Sequence, residues 1–193
     1  MNLYKLLTRE DIYYSLKKSA NKGEIVFAED DEAKYVGILK KGELSISSYS
    51  LSGQEIIYNE IEEGGIFGNN LIFSDQSFYR GHVIAKKDSE ILLYSKAAFM
   101  RILQTNKEFL EAYLNLEANF AKTLNGQIKL LCIPSAEERF LYYLKQQKRL
   151  TFKSISSLAG SLFLTRESLS RTISKLVKEG KIKRKGNMIE LQE

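Results

Sequence analysis

The chain contains 193 residues, of which 44% are hydrophobic, 27% charged and 11% aromatic. These fractions are typical of a folded globular protein and exclude a disordered tail, a collagen-like repeat and a coiled-coil rod. No apolar stretch approaches the roughly 20 residues that span a bilayer, and the first residues lack a secretion signal. We therefore expect a cytoplasmic protein without a membrane partner. With Cys132 and His82 each the only residue of its type, we expect no metal site and no iron–sulfur cluster.

Positive charge is concentrated in the last third of the chain. Residues 1–134 carry 16 Lys and Arg against 18 Asp and Glu, whereas residues 135–193 carry 13 against 6. The boundary coincides with Pro134, the only proline, which ends a helix because it lacks an N–H donor. A basic module behind a near-neutral one predicts a polyanion as the partner of the C-terminal part. A solvated lysine-rich tail is the alternative that charge alone leaves open.

The first hundred residues are predicted to contain one helix and then a series of strands. Thr8 and Asp11 form an N-terminal capping pair, so a helix is predicted over residues 8–20. Short β-rich runs separated by Gly- and Asp-containing turns follow, and they predict a small antiparallel barrel or roll. The predicted strands are residues 25–27, 35–39, 43–49, 55–61, 79–85 and 90–94.

A long helix is predicted over residues 107–131, and it carries two apolar stripes. Two stripes allow one helix to pack against two bodies, which we interpret as its own roll and a second copy of the chain. A single wide face buried inside a monomer is the alternative. Cys132, just after this helix, is predicted to be a buried thiol. One stripe contains Phe109, Tyr113, Leu116 and Phe120, and the other contains Leu110, Leu114, Ala121, Leu124 and Ile128.

The C-terminal module is predicted to contain three helices and a hairpin. Ser135 and Glu138 form a capping box that opens a helix after Pro134, and two further helices are predicted to begin at Thr151 and Thr165. Two strands are predicted over residues 181–185 and 187–191. Two short helices followed by a basic hairpin are typical of a winged helix-turn-helix. The last helix has an apolar stripe that contains Leu169, Ile173, Leu176 and Val177.

The opposite face of that last helix carries residues suited to a DNA major groove. Arg166 and Arg171 are predicted to donate two hydrogen bonds each to a guanine, and Glu167 to accept one from a cytosine amino group. Double-stranded DNA is therefore the predicted partner. The residues predicted to contact phosphates or to make weaker base contacts are Thr165, Ser168 and Ser170 and, in the hairpin, Lys183, Arg184 and Lys185.

These residues resemble a known family. Residues 158–159 (LA), 165–171 (TRESLSR) and 176–180 (LVKEG) resemble the helix-turn-helix of the CRP/FNR superfamily, the bacterial regulators named for the cyclic-AMP receptor protein. Residues 135–140 (SAEERF) resemble the entry into that family's DNA-binding domain. By this resemblance, Arg166, Glu167 and Arg171 would contact a half-site of the TGTGA type in a two-fold symmetric operator. One departure is Phe163, which stands where the family usually has a glycine in the turn between the helices.

The resemblance covers nearly the whole chain and implies an α+β fold with three parts. The first is an N-terminal antiparallel β-roll of the cyclic-nucleotide-binding type, the effector domain, over residues 1–105. A long dimerisation helix over residues 106–133 and a C-terminal winged helix-turn-helix over residues 134–193 follow. An effector that changes how the long helices pair would reposition the two recognition helices, which must reach grooves ~34 Å apart.

An effector site in the roll is also implied. In relatives that bind a cyclic nucleotide, a Gly-Glu pair holds the ribose, and an Arg followed by Ser or Thr holds the phosphate. Here Gly68 is kept, Asn69 replaces the Glu, Tyr79 takes the place of the Arg, and Arg80 comes one position late with Gly81 after it. A one-residue slip sends a strand side chain to the other face. Cyclic AMP is therefore disfavoured, no cofactor is predicted, and the effector is unidentified.

The sequence thus predicts a homodimeric, sequence-specific transcription regulator of the CRP/FNR type, with RNA polymerase as a further candidate partner. An enzyme is not expected, because neither a nucleophile–base pair nor a metal-ligand set can be assembled. The alternative is a regulatory or scaffolding module whose basic end binds an acidic protein or a membrane surface. That module would show no preference between duplex sequences.

Overall fold

The computed structural model describes residues 2–50, 53, 55–75, 77–147 and 149–192. The chain is an α+β protein whose strands pair in an antiparallel manner, and it divides into two compact units, Met1–Glu117 and Ala118–Glu193. The predicted three-part division, with boundaries after residues 105 and 133, stays a prediction. Within the described part of the chain, the helices are too short or too polar to cross a membrane.

The N-terminal unit contains two antiparallel sheets with the strand orders β1-β8-β3-β6 and β2-β7-β4-β5. Its strands are β1 (Leu16–Ala20), β2 (Ile25–Phe27), β3 (Tyr35–Lys41), β4 (Leu44–Tyr49), β5 (Glu55–Ile61), β6 (Ile66–Phe67), β7 (His82–Ala85) and β8 (Ser89–Ser95). Its helices are a 3-10 helix (Leu3–Leu6), α1 (Arg9–Tyr13), α2 (Asn69–Ile72), α3 (Lys96–Thr105) and the first part of α4 (Lys107–Leu131).

Two apolar clusters stabilise this unit. One joins side chains of both sheets, among them Phe67 and Val83. The other lies where α3 and the start of α4 cover the first sheet, and there the rings of Phe99 and Phe109 meet edge to face with centroids 6.0 Å apart. The predicted antiparallel strands are confirmed, although the strand predicted over residues 79–85 begins only at His82.

The helix predicted over residues 8–20 is wrong beyond its first turn. The capping box of Thr8 and Asp11 is present and starts α1, but α1 ends at Tyr13. Residues Leu16–Ala20 instead form β1, which pairs along its whole length with β8. The capping residues determine where a helix begins, whereas the open edge of β8 provides backbone partners that a local pattern does not reveal.

The C-terminal unit contains the remainder of α4 and a set of short elements. These are α5 (Ala136–Gln147), β9 (Arg149–Thr151), α6 (Ile155–Ser161), α7 (Arg166–Lys178), β10 (Ile182–Lys185) and β11 (Met188–Leu191). The prediction that a helix begins at Thr151 is wrong, because Thr151 pairs with Met188 in the sheet β10-β11-β9. Ser154 is the residue that caps α6, since its hydroxyl accepts a hydrogen bond from the N–H of Ser157.

The two predicted stripes of α4 differ in their surroundings. Phe109 is buried and Tyr113 and Leu116 are partly buried against the core of the N-terminal unit, but Phe120, predicted to continue that stripe, is exposed. The second stripe is exposed along most of its length, with Ile128 as much as 58% accessible. Cys132, predicted to be buried, is also exposed.

Candidate functional site

Helix α7 begins at a capped N-terminus and has one buried and one exposed face. The hydroxyl of Thr165 accepts a hydrogen bond from the N–H of Ser168 at 3.1 Å, which satisfies one of the free donors of the first turn. Leu169, Ile173 and Leu176 are buried in the core of the C-terminal unit. Spacing of four and then three residues places these side chains on one side of the helix, so the other side is left to solvent.

The residues predicted to contact DNA lie on that exposed side. Arg166, Glu167, Ser170 and Arg171 are exposed, and at 100° per residue they fall within an arc of 140°. Ser168 is half-buried, at the edge of this face. Val177, predicted to belong to the apolar stripe, is instead 43% exposed, because its position on the helix is closer to Arg166 than to Leu176.

The cations of this face are available to a ligand. Within the described residues, neither Arg166 nor Arg171 forms an ion pair; Arg171 donates only one long bond, from Nε to the carbonyl of Glu167 at 3.4 Å. Lys183 and Lys185 are exposed in the hairpin and are likewise unpaired in the part of the chain that the structure describes. Unpaired cations keep their full attraction for phosphates.

Arg184 behaves differently from its neighbours in the hairpin. Its Nε donates to the carbonyl of Gly186 at 2.9 Å, and its guanidinium lies 5.9 Å from the ring centroid of Phe152. Part of this guanidinium is therefore engaged in contacts that stabilise the hairpin itself, although the residue remains exposed.

Two further lysines near α7 are held by acidic residues. Lys175 lies 2.7 Å and Lys181 3.3 Å from the carboxylate of Glu137, and Glu179 lies 2.7 Å from Lys181. Hydrogen bonds from these ammonium groups lower the pKa of Glu137, and the bond with Glu137 raises the pKa of Lys175. These lysines join α5 to the end of α7 and are less available to a polyanion than Arg166 or Lys183.

Arg139, which was not among the predicted site residues, fixes the connection between α6 and α7. This buried side chain of α5 donates from Nε and Nη2 to the carbonyl of Ile133, at 3.0 and 2.6 Å. Its Nη1 donates to the carbonyls of Leu162 and Phe163, at 3.2 and 3.1 Å. The carbonyls at the end of a helix carry partial negative charge, which stabilises the guanidinium in the absence of a carboxylate. The only sequence signal was an arginine that directly follows the predicted capping box of Ser135 and Glu138.

The connection between α6 and α7 contains a strained residue. Phe163 has a φ of 54°, a left-handed conformation that costs a residue with a side chain roughly 1–2 kcal/mol. The N–H of Leu164 bonds to the carbonyl of Ala159 and that of Phe163 to Gly160, which is the Schellman pattern of helix ends. Phe163 therefore adopts the backbone conformation for which the family's glycine is suited, and the ring is 44% exposed.

Substitutions at this position test the strain. We expect Phe163→Gly to change the free energy of unfolding by less than about 1 kcal/mol, because relief of the left-handed strain offsets the larger entropy of the unfolded chain. Phe163→Val should lower it by about 1–2 kcal/mol, since a β-branched residue tolerates positive φ least. Urea unfolding of both variants measures the difference, and equal stabilities would contradict the strain.

In the roll, the residues of the predicted effector site separate into two groups. Gly68 has a φ of 75°, and a Cβ there would lie 2.7 Å from the carbonyl oxygen of Tyr35. Asn69, the first residue of α2, is buried, and its Nδ2 donates to Oε1 of Glu117 in α4 at 2.7 Å. The side chain in the position of the family's Glu is thus engaged within the chain.

The second group lies around the start of β7. Tyr79 is only 2% exposed, and its ring stacks on Phe27 with centroids 4.9 Å apart. Arg80 is exposed. Gly81 lies so close to the backbone of Ser47 that a Cβ would be 2.8 Å from its carbonyl oxygen. The structure therefore has an aromatic ring in the core where the family pattern has the Arg, and no room for a hydroxyl residue after Arg80.

His82 and Glu29 are engaged in local contacts within the roll. His82 Nδ1 accepts a hydrogen bond from the N–H of Glu29 at 3.0 Å, and the hydroxyl of Ser48 donates to the Glu29 carboxylate at 3.0 Å. No group of three or more His, Cys, Asp or Glu residues suited to a metal ion occurs in the described part of the chain.

A family model described as the cyclic nucleotide-binding domain matches residues 17–106. Among curated proteins, no sequence matches the chain. A transcriptional regulator from Thermotoga maritima is similar to it with 27% identity and a TM-score of 0.60, over 68% of this chain and 98% of that chain.

Two further solved structures resemble the chain over nearly its full length. The catabolite activator protein of Thermus thermophilus has 20% identity and a TM-score of 0.59, over 98% of this chain and 93% of that chain. A CooA mutant from Carboxydothermus hydrogenoformans has 19% identity and a TM-score of 0.67, over 100% of this chain and 92% of that chain. At these identities the two likenesses show a shared fold.

Proposed function

We propose that the chain is a member of the CRP/FNR superfamily, which its sequence resembles, and that it is a homodimeric transcription regulator that binds duplex DNA sequence-specifically. Its winged helix-turn-helix is the predicted domain of residues 134–193, with α7 as the recognition helix and the β10–β11 hairpin as the wing. The related proteins favour this function over a scaffolding module and over an enzyme. RNA polymerase is the further partner that a regulator of transcription would contact.

The observation that carries the proposal is the exposed face of α7. It presents two arginines that form no ion pair with the described residues, Arg166 and Arg171, together with Glu167, while the opposite face is anchored in an apolar core. An arginine fork donates two parallel bonds to the O6 and N7 atoms of guanine, which is the commonest specific contact in the major groove. Because Arg139 and the capped N-terminus orient the helix, these side chains would enter a groove in a defined register.

Dimerisation is proposed to occur through α4. Leu114, Leu124, Ile128 and Leu131 are exposed at spacings that keep them on one side of the helix. A second copy is the occupant that fits this stripe, because two such helices would bury the same residues against one another in a two-fold interface. Each dimer then carries two copies of α7 for two half-sites of an operator.

We propose that the region around Gly68, Asn69, Tyr79, Arg80 and Gly81 is the equivalent of the family's effector site, with an altered chemistry. The buried Tyr79 supplies no charge for a phosphate, and Asn69 already bonds to Glu117. Cyclic AMP is therefore not the expected ligand. Calorimetric titration with cyclic AMP is expected to give no binding isotherm at ligand concentrations up to 1 mM, roughly the top of the usual range for small metabolites.

The first test of the proposed function is selection of a binding site from a random duplex library by the purified protein. We expect a two-fold symmetric sequence with half-sites one helical turn apart, about 34 Å. Arg166→Ala and Arg171→Ala should each weaken binding to the selected site by about 1–3 kcal/mol and leave non-specific duplex binding nearly unchanged. Fluorescence anisotropy at one fixed salt concentration measures both.

Matched variants separate base contacts from phosphate contacts. Lys183→Ala should weaken binding to all duplexes. It should also reduce, by about one, the slope of the logarithm of the binding constant against the logarithm of the salt concentration. Lys122→Ala, an exposed cation of α4 away from α7 in sequence, should change neither quantity. Failure to enrich any sequence, with binding that depends only on salt, would contradict the regulator and favour the scaffolding alternative.

A further inference from the structure

Glu117 occupies an unusual position in the exposed stripe of α4. Counted in heptads, the stripe runs through Leu110, Leu114, Glu117, Ala121, Leu124, Ile128 and Leu131. The spacings alternate between four and three residues, which is the pattern of the two core positions of a coiled coil. Six of these seven positions are apolar, and the one polar position is Glu117. A single polar residue at a core position is a known device for specifying register and partner at a cost in stability.

The Glu117 carboxylate is held by an uncharged partner. Asn69 of α2 donates to it at 2.7 Å, and Asn69 also interacts with the hydroxyl of Tyr113, one turn earlier on α4. Glu117 forms no ion pair with any residue that the structure describes. The groups that face it are therefore Asn69 from α2 and Tyr113 from its own helix, and neither carries a positive charge at neutral pH.

Partial burial raises the pKa of Glu117, and no charged group in the described part of the chain opposes this shift. A carboxyl group whose pKa is raised in the folded state favours that state when protonated. Its contribution is present at low pH and is lost as the pH rises through the raised pKa. A second carboxylate brought close to the first would increase the shift, because two like charges at one site disfavour ionisation of both.

We propose that Glu117 is a polar core position of the homodimer's helix seam, and that its protonation tightens the pairing of the two α4 helices. In a two-fold dimer of this helix face, the two copies of Glu117 would meet across the seam. Asn69 couples this position to α2, the helix of the altered effector site. The inference rests on the dimer of the proposed function, and it assigns to that dimer a pH response that requires no bound effector.

The dimer dissociation constant of the full chain, measured by sedimentation at several pH values from 5.0 to 8.0, tests the proposal. We expect this constant to rise about tenfold across the range, because two carboxyls that face each other across the seam repel once both are ionised. Glu117→Gln keeps an acceptor for Asn69 but removes the charge, so its dimer should be tighter at pH 8.0 and independent of pH. The control Glu108→Gln changes an exposed residue of the same helix away from the stripe and should retain the pH response.

Asn69→Ala provides a second variant that leaves α4 unchanged. Without the amide donor, the charged form of Glu117 loses its hydrogen bond, and the pH response should move to higher pH. A wild-type dimer with no pH dependence, or a Glu117→Gln dimer that responds like wild type, would overturn the inference and leave DNA binding by the dimer intact. A chain that stays monomeric at all these pH values, and also with Glu117→Gln, would contradict the proposed function as well.

Discussion

Arg139→Met is expected to lower the free energy of unfolding of the C-terminal unit by about 1.5–3 kcal/mol, the usual contribution of hydrogen bonds donated by a charged group. The guanidinium donates to three backbone carbonyls, those of Ile133, Leu162 and Phe163. Methionine fills a similar volume but donates no hydrogen bond, so these carbonyls would lose their partner within the protein. Denaturant unfolding followed by circular dichroism measures the loss.

The same substitution should also weaken binding to the selected operator more than binding to non-specific duplex. Arg139 does not lie on the exposed face of α7, and it acts by holding the turn that sets the direction of that helix. The control is Arg149→Met, an exposed arginine that forms a surface ion pair with Glu190 and should cost at most about 1 kcal/mol. Equal losses in the free energy of unfolding for the two variants would show that the buried carbonyl contacts of Arg139 stabilise the unit no more than a surface ion pair does.

Tyr79→Ala is expected to destabilise the N-terminal unit by about 3–5 kcal/mol, the usual cost of removing a large aromatic side chain from a core. Its ring is buried and stacks on Phe27, and burial raises the pKa of its hydroxyl. The hydroxyl has no hydrogen-bond partner among the described residues. Tyr79→Phe should therefore be neutral or stabilising by up to about 1 kcal/mol, since it removes a buried polar group that is not bonded.

Thermal and urea unfolding of these two variants decide what Tyr79 does. A small loss for Tyr79→Ala would indicate an open pocket with the ring at its surface, which is the arrangement that a ligand-contacting residue requires. A large loss of stability for Tyr79→Phe would mean that the hydroxyl forms a hydrogen bond in the folded protein. That result would contradict a buried hydroxyl without a partner among the described residues.

The elements that local patterns predict well are those whose signals lie within a few residues. Periodicity predicted α4 and α7, and the predicted start of α7 at Thr165 is where the structure has the capping residue of that helix. Residues Leu16–Ala20 show the limit of this approach, because their backbone partners on β8 lie about seventy residues later in the chain. A propensity for helix was overridden there by an available strand edge.

The candidate DNA contacts followed from spacing on one helix together with the family resemblance. Arg166 and Arg171 are exposed because Leu169, between them, and the next apolar residues of the helix turn inward, and that relation depends only on helical geometry. Arg139 was missed because its role depends on carbonyls at Leu162 and Phe163, more than twenty residues away. No pattern around Arg139 itself indicates that these groups come together.

Four features could be predicted without coordinates: the basic C-terminal module, the break at Pro134, the long helix with its apolar stripe and the exposed arginines of α7. Each of these depends on composition or on the spacing of neighbouring residues along the chain. Three others became visible only in the folded chain: Tyr79 lies in the core, Asn69 bonds to Glu117, and Arg139 holds the turn before α7. These contacts join residues far apart in the chain, and their formation depends on how the strands and helices pack rather than on any local preference.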